Sequence, residues 1–165
     1  MTALAALFGH VPFEPHITVQ GDLSVEPRHL VAIAREEANR TSALSWPSFS
    51  FGRSDFFYRA LFLEFPDTVA FAALAERLTL RTGTSVGCSP FPHLSLAYGH
   101  PDPNREPAVA EILARCELKT KDFRFDRLAV VLSAQSVPLD RWQILESFTL
   151  LSGAVDLDAV RGPSP

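Results

Sequence analysis

The chain has 165 residues, of which 47% are hydrophobic, and a formal net charge of −4 at neutral pH. This length is enough to bury a sizeable core in one domain without a metal or a disulfide. Its 15 lysines and arginines are scattered, which argues against a track for long nucleic acid, and no apolar run has the length of a membrane span or the basic flank of a secretory signal.

The first predicted element is a strand over residues 13–21, after an N-terminus that we predict to be irregular. Its sequence, Phe-Glu-Pro-His-Ile-Thr-Val-Gln-Gly, alternates polar and apolar side chains. In an extended strand His16 and Thr18 share one face, while Ile17 and Val19 share the other. We therefore predict that the apolar face is buried and that the imidazole and the hydroxyl lie on a common surface.

A helix and a pair of strands are predicted next. Pro27 begins a helical pattern that continues to about Asn39. Residues 45–52 alternate polar and aromatic side chains, and residues 57–65 are rich in aromatic and aliphatic ones, which favours strands. The segment 52–55 is predicted to join them as a hairpin.

Two further helices have the spacing of a single buried face. Asp67 is a predicted N-cap for the first of them, and Gly83 is its predicted C-cap. The second is predicted from about Arg105 to Cys116. The remaining predicted elements are strands over 123–134 and 142–151, followed by a frayed tail over 156–165.

Residues 91–99, Phe-Pro-His-Leu-Ser-Leu-Ala-Tyr-Gly, repeat the pattern of the first motif. His93 and Ser95 again share a face, opposite Leu94 and Leu96. A single His-x-Thr in a strand is more often structural than functional. Two copies, each with proline before the histidine and glycine at the end, are a more specific signal, and we predict that they line one cleft.

Two imidazoles that face one ligand can form an acid-base pair, because histidine titrates near neutral pH. A neutral histidine can take a proton from an attacking water, while a protonated one gives a proton to the leaving oxygen. The two hydroxyls can stabilise the charge that builds on phosphate oxygens. This set suits phosphodiester cleavage. No metal-ligand spacing accompanies it, so we predict neither a metal nor another cofactor.

The two motifs resemble those of the two-histidine (2H) phosphoesterases, and most of all their cyclic phosphodiesterase branch, which is known from plants and fungi. The resemblance implies one α+β domain over residues 1–165, with two lobes, antiparallel-rich sheets lining a central cleft, and helices outside. It implies that His16 and His93 are catalytic and that Thr18 and Ser95 bind phosphate. It also implies hydrolysis of nucleoside 2′,3′-cyclic phosphates to 2′-phosphates, and of ADP-ribose 1″,2″-cyclic phosphate to the 1″-phosphate.

Three aromatic residues have two interpretations each. Tyr98 matches a tyrosine that places its hydroxyl near the phosphate in that branch. Strand alternation puts Tyr98 on the face opposite Ser95, so it reaches the cleft only if the strand bulges near residues 97–99, and is otherwise a core-edge residue. Phe57 and Trp142 either stack on an adenine or belong to the core.

Two other functions remain open. One is a nucleotide-binding module with little turnover, and the other is a relative that processes or ligates RNA ends, for which we expect a basic groove. Two titratable imidazoles favour the enzyme, since binding alone does not require them. We expect a monomeric cytoplasmic protein with reduced Cys88 and Cys116, whose ligand is a small cyclic-phosphate nucleotide and neither long nucleic acid nor a membrane.

Overall fold

Helices and antiparallel sheets make up the fold, which confirms the α+β class. The computed structural model describes residues 2–66, 68–99, 102–115, 122–133 and 136–152. The helices in these ranges are α1 (Thr2–Phe8), α2 (Pro27–Ala38), α3 (Val69–Thr82) and α4 (Glu106–Arg115). The strands are β1 (Leu44–Trp46), β2 (Ser50–Arg53), β3 (Leu61–Glu64), β4 (His93–Ala97), β5 (Phe123–Phe125), β6 (Arg127–Leu132) and β7 (Gln143–Thr149).

The strands form three antiparallel sheets, with orders β2-β3-β4, β1-β5 and β6-β7. In the three-stranded sheet Phe62 of β3 pairs with Ser95 of β4, and Glu64 pairs with His93. Helix α2 packs against β6, β7 and α3. The main hydrophobic core joins apolar side chains from α1, α3, α4, β1, β3 and β4, including Phe8, Trp46, Leu63, Phe65, Phe71, Leu94 and Val109.

The predicted helices are confirmed within one or two residues of their expected ends. Helix α2 begins at Pro27, and the Glu26 side chain accepts hydrogen bonds from the backbone N–H groups of the first turn. Helix α3 ends at Gly83, which has a φ of 72° and is the C-cap, as predicted. The N-cap position of α3 is occupied by Thr68 and not, as predicted, by Asp67. Asp67, Cys116 and the tail over 156–165 lie outside the described residues.

The predicted strand over 45–52 is two strands with different partners. Trp46 ends β1, which pairs with β5, whereas Ser50 begins β2, which pairs with β3. Pro47 lies between them and has no N–H for a ladder hydrogen bond, so the pairing changes sheets at this point.

The predicted strand over 57–65 and the hairpin over 52–55 are partly wrong. Residues Phe57–Arg59 form a 3₁₀ turn, and β3 begins only at Leu61. The Ser54 hydroxyl donates a hydrogen bond to the Arg59 carbonyl at 2.8 Å and thereby closes this turn. The connection between β2 and β3 is therefore longer than a tight hairpin.

The last strands are also shorter than predicted. The apolar run over 123–134 divides at Asp126 into β5 and β6, which belong to different sheets, and Ala134 lies outside the described residues. The Asp126 carbonyl accepts a hydrogen bond from Leu150, so this residue marks the point at which the partner changes.

Helix α1 was missed by the sequence analysis, which predicted an irregular start. Leu4, Ala5 and Phe8 are buried on one face of it, and Gly9 follows with a φ of 75°. That spacing and the glycine after it were the available signal. In the part of the chain that the structure describes, no helix has the length and apolar character needed to cross a membrane.

Candidate functional site

The first motif lies beside β4, but it is not the regular strand that was predicted. Only isolated antiparallel bridges form, from Ile17 to Leu94 and from Gln20 to Cys88. Regular pairing is prevented by prolines, which have no N–H to donate. Pro15 precedes the first bridge in one segment, and Pro90 and Pro92 lie between the bridged residues of the other. The motif is therefore extended only locally around its histidine.

The bridge between Ile17 and Leu94 sets the relation of the two motifs. His16 and His93 each directly precede a bridged residue, so the bridge brings the two histidine-bearing segments side by side. The charge of His16 also lowers the pKa of His93, as expected of two imidazoles that are near each other. The two histidines thus lie in neighbouring segments, whereas a common surface for both histidines and both hydroxyls stays a prediction.

The two imidazoles are held by the same type of hydrogen bond. Nδ1 of His16 donates to the Glu14 carbonyl at 2.6 Å, and Nδ1 of His93 donates to the Phe91 carbonyl at 3.2 Å. Because a carbonyl oxygen only accepts, each Nδ1 carries the proton in the neutral ring. The lone pair of each neutral imidazole is then on Nε2, which is the atom available for chemistry.

The environment of His93 favours its neutral form. Burial lowers the pKa of His93, the hydrogen bond to Phe91 partly offsets this, and the charges of Arg59 and His16 lower it further. The Ser89 hydroxyl lies 3.2 Å from Nδ1 and donates to the same Phe91 carbonyl. The imidazole of His93 is thus both oriented and kept neutral at neutral pH.

The two motif hydroxyls lie in different environments. Thr18 is exposed, and its hydroxyl has no hydrogen bond to any residue that the structure describes. Ser95 is only 5% exposed, and its hydroxyl donates to the Tyr58 carbonyl at 3.0 Å. Thr18 is therefore free to donate to a ligand, whereas Ser95 would first have to release Tyr58.

Tyr98 reaches the site because β4 contains the bulge on which its placement depended. Leu61 pairs with Ala97 and Phe62 with Ser95, so Leu96 is an extra residue that reverses the alternation. The Tyr98 hydroxyl lies 3.4 Å from Nε2 of His16. Burial raises the pKa of Tyr98, and a hydrogen bond with Ser95 lowers it to a smaller extent, so the hydroxyl remains protonated and donates.

The two candidates for stacking on a base, Trp142 and Phe57, lie in different places. The Trp142 ring is half-buried, lies 6.1 Å from the His16 ring and stacks near Tyr58 at 6.3 Å. Phe57 is 46% exposed, and its ring packs beside Gly99. Trp142 is thus the candidate that the fold brings to the histidines. The Phe13 ring stacks on the Tyr98 ring, with 4.1 Å between the ring centroids.

Arg59 is the residue of this region that sequence reasoning missed. Its guanidinium lies over the rings of Phe91 and Phe62, at 5.0 and 5.5 Å, and its charge acts on His93. The available signal was a single arginine in the aromatic run 56–62. Among the described residues, no three histidine, cysteine, aspartate or glutamate side chains are grouped as metal ligands.

In comparisons with known proteins, no protein-family model and no curated protein sequence matches this chain.

Proposed function

We propose that this protein hydrolyses small cyclic phosphodiesters with His16 and His93 as its acid-base pair. The observation that carries the proposal is the matched pair of imidazoles. Both donate from Nδ1 to a backbone carbonyl two residues earlier, and both lie in adjacent antiparallel segments. A phosphate between the two Nε2 atoms would have one imidazole near the attacking water and the other near the leaving oxygen.

We assign the base to His93 and the acid to His16. The lowered pKa of His93 keeps its imidazole neutral, which is the form that accepts a proton from water. Opening a cyclic phosphate then needs a proton on the departing ribose oxygen, and the protonated His16 supplies it. Water adds to phosphorus, the P–O bond to the ring oxygen breaks, and the proton taken by His93 balances the one given by His16.

The hydroxyl groups around the pair would stabilise the phosphate. Thr18 is exposed and available as a donor. The Tyr98 hydroxyl is protonated and lies next to His16, so it can donate to the phosphate. The Ser95 hydroxyl becomes a phosphate ligand once it no longer donates to the Tyr58 carbonyl. Donors placed where negative charge develops lower the barrier. Trp142 offers an aromatic face to the base of a nucleotide.

We also propose the two-lobed arrangement of the two-histidine phosphoesterases for this fold, with the paired motifs between the lobes. The antiparallel contact between the two copies of the motif supports it, because pseudo-symmetric halves would meet in this way. The protein would act as a cytoplasmic monomer without a metal or another cofactor.

Incubation with 2′,3′-cyclic AMP and with ADP-ribose 1″,2″-cyclic phosphate in the presence of EDTA tests the function. We expect ring opening of both, with the phosphate retained on the 2′ oxygen of the nucleoside product, as measured by phosphorus NMR. A linear oligoribonucleotide is the matched control, because an acidic chain gains little from a long phosphate backbone. Faster cleavage of the oligonucleotide, or binding of the cyclic substrates without turnover, would contradict the proposal.

The pH dependence tests the assignment of roles. We expect a bell-shaped profile of kcat/KM, because one imidazole must be neutral and the other protonated. Since the pKa of His93 is lowered, His93 remains a base below the usual histidine value of 6.5, and the acidic limb should fall below that pH. An acidic limb above pH 6.5 would contradict the role of His93 as the base.

A further inference from the structure

We propose that Arg59 is an anion-binding residue of this site and binds the phosphate of the substrate beside His93. This inference rests on the proposed function, but it concerns a residue outside both repeated motifs. It is carried by the position of the guanidinium beside the sheet face that carries His93, and by the lack of a counter-ion among the residues that the structure describes.

The position follows from contacts with two aromatic residues that His93 also contacts. The Arg59 guanidinium lies over the Phe91 and Phe62 rings. The His93 ring lies 5.3 Å from the Phe91 ring and 5.7 Å from the Phe62 ring. Phe62 is paired with Ser95, so its side chain is on the sheet face that carries His93. Arg59 and His93 are thus neighbours across the same two rings.

The charge of Arg59 contacts aromatic rings but has no anionic partner in the part of the chain that the structure describes. Its Nε atom is buried and makes no hydrogen bond there. None of the ion pairs found there includes Arg59, whereas Arg77 and Arg81 are paired with the buried carboxylate of Glu37. A partly buried cation without an anion costs stability, unlike a paired one. An anionic ligand would supply the missing partner.

The backbone around Arg59 is fixed in a way that suits a binding residue. The Arg59 carbonyl accepts a hydrogen bond from Ser54, and the Phe57 carbonyl accepts one from the backbone N–H of Gly99 at 2.8 Å. The 3₁₀ turn is therefore tied to the end of the second motif by a bond that does not involve Ser95. A guanidinium held between rings loses little freedom when it binds, and its planar fork matches two phosphate oxygens.

Binding of inorganic phosphate, followed by NMR of the histidine ring signals, tests the inference without relying on turnover. We expect phosphate to shift the His93 signals and Arg59→Met to weaken its binding roughly 10- to 150-fold, the range for hydrogen bonds to a charged group. Arg59→Lys should retain part of the affinity, because it keeps the charge but not the fork. Arg124→Met, which changes an exposed arginine of β5, should bind as the wild type does.

Two further measurements separate this role from a structural one. Arg59→Met should raise the His93 pKa and leave the melting temperature unchanged or higher, because an unpaired charge among aromatic rings is replaced by an apolar side chain. If the Met variant fails to fold, Arg59→Lys still tests the loss of bidentate binding. Wild-type affinity in Arg59→Met, or no response of the wild-type protein to phosphate, would overturn the inference. Phosphate binding that depends on Arg59, in a protein that does not hydrolyse cyclic phosphates, would refute the proposed function alone.

Discussion

His16→Ala and His93→Ala are each expected to lower kcat/KM for 2′,3′-cyclic AMP by about 10²- to 10⁴-fold, the usual contribution of one positioned acid or base. Among the residues that the structure describes, neither histidine has a second group placed to take its role. The Tyr98 hydroxyl is close to His16, but its raised pKa opposes the proton loss that a substitute acid would need. The measurement is the initial rate of ring opening at several substrate concentrations.

The fold should survive both substitutions. Each side chain is half-buried, and each is held by its Nδ1 hydrogen bonds at the surface of the site. His29→Ala is the matched control, because His29 is an exposed histidine in the first turn of α2. We expect unchanged activity for the control and native circular dichroism for all three variants. Near-wild-type activity of either His16→Ala or His93→Ala would refute the acid-base mechanism.

The double variant sharpens this result. Residues that act as a unit in catalysis are strongly non-additive, so the loss in His16→Ala/His93→Ala should be smaller than the product of the two single losses. If the two losses simply multiply, the two imidazoles act independently, and a concerted exchange of protons between them and one substrate would be excluded.

The sequence predicted the elements whose stability is local. Helices α2, α3 and α4 were identified from the spacing of their apolar residues, and Gly83 from the left-handed conformation that a C-cap often needs. The strands were predicted less well, because an apolar run does not specify its partner. Residues 45–52 and 123–134 each read as one strand, yet each divides between two sheets.

The site itself was predicted in part. The repeat predicted two histidine-bearing segments, and the Ile17–Leu94 bridge places these segments side by side. The environment of Ser95 could not be read from the sequence, because it depends on a carbonyl in a 3₁₀ turn that was predicted as a strand. The same error concealed the position of Arg59. A strand would have placed its side chain according to simple alternation, whereas in the 3₁₀ turn its guanidinium lies over the Phe62 and Phe91 rings.

One of the backbone contacts between the two motif segments is a close approach of two glycines. Gly21 at the end of the first motif donates its N–H to the carbonyl of Gly87, in the loop before the second motif, at 2.8 Å. Gly87 has a φ of 73°, and a Cβ placed on it would lie 1.8 Å from the Gly21 carbonyl oxygen. Any side chain at position 87 would therefore clash with the Gly21 backbone, which cannot move aside as a side chain could.

Gly87→Ala is accordingly expected to reduce both stability and activity. The left-handed conformation costs alanine about 1–2 kcal/mol, and loss of the hydrogen bond to Gly21 adds about 1–3 kcal/mol, so we expect a decrease of about 2–5 kcal/mol in the free energy of unfolding. The displaced segment leads directly into the second histidine motif, and a shift of about 1 Å in catalytic geometry can cost about 10²-fold in rate.

Gly83→Ala is the matched control, because Gly83 has nearly the same φ, 72°, but open space around its Cβ position. Urea denaturation and turnover of 2′,3′-cyclic AMP measure the two effects. We expect the control to lose only the conformational part of the stability and none of the activity, since Gly83 ends α3 outside the site. Equal losses in the two variants would mean that the approach of Gly87 to Gly21 does not hold the motifs in register.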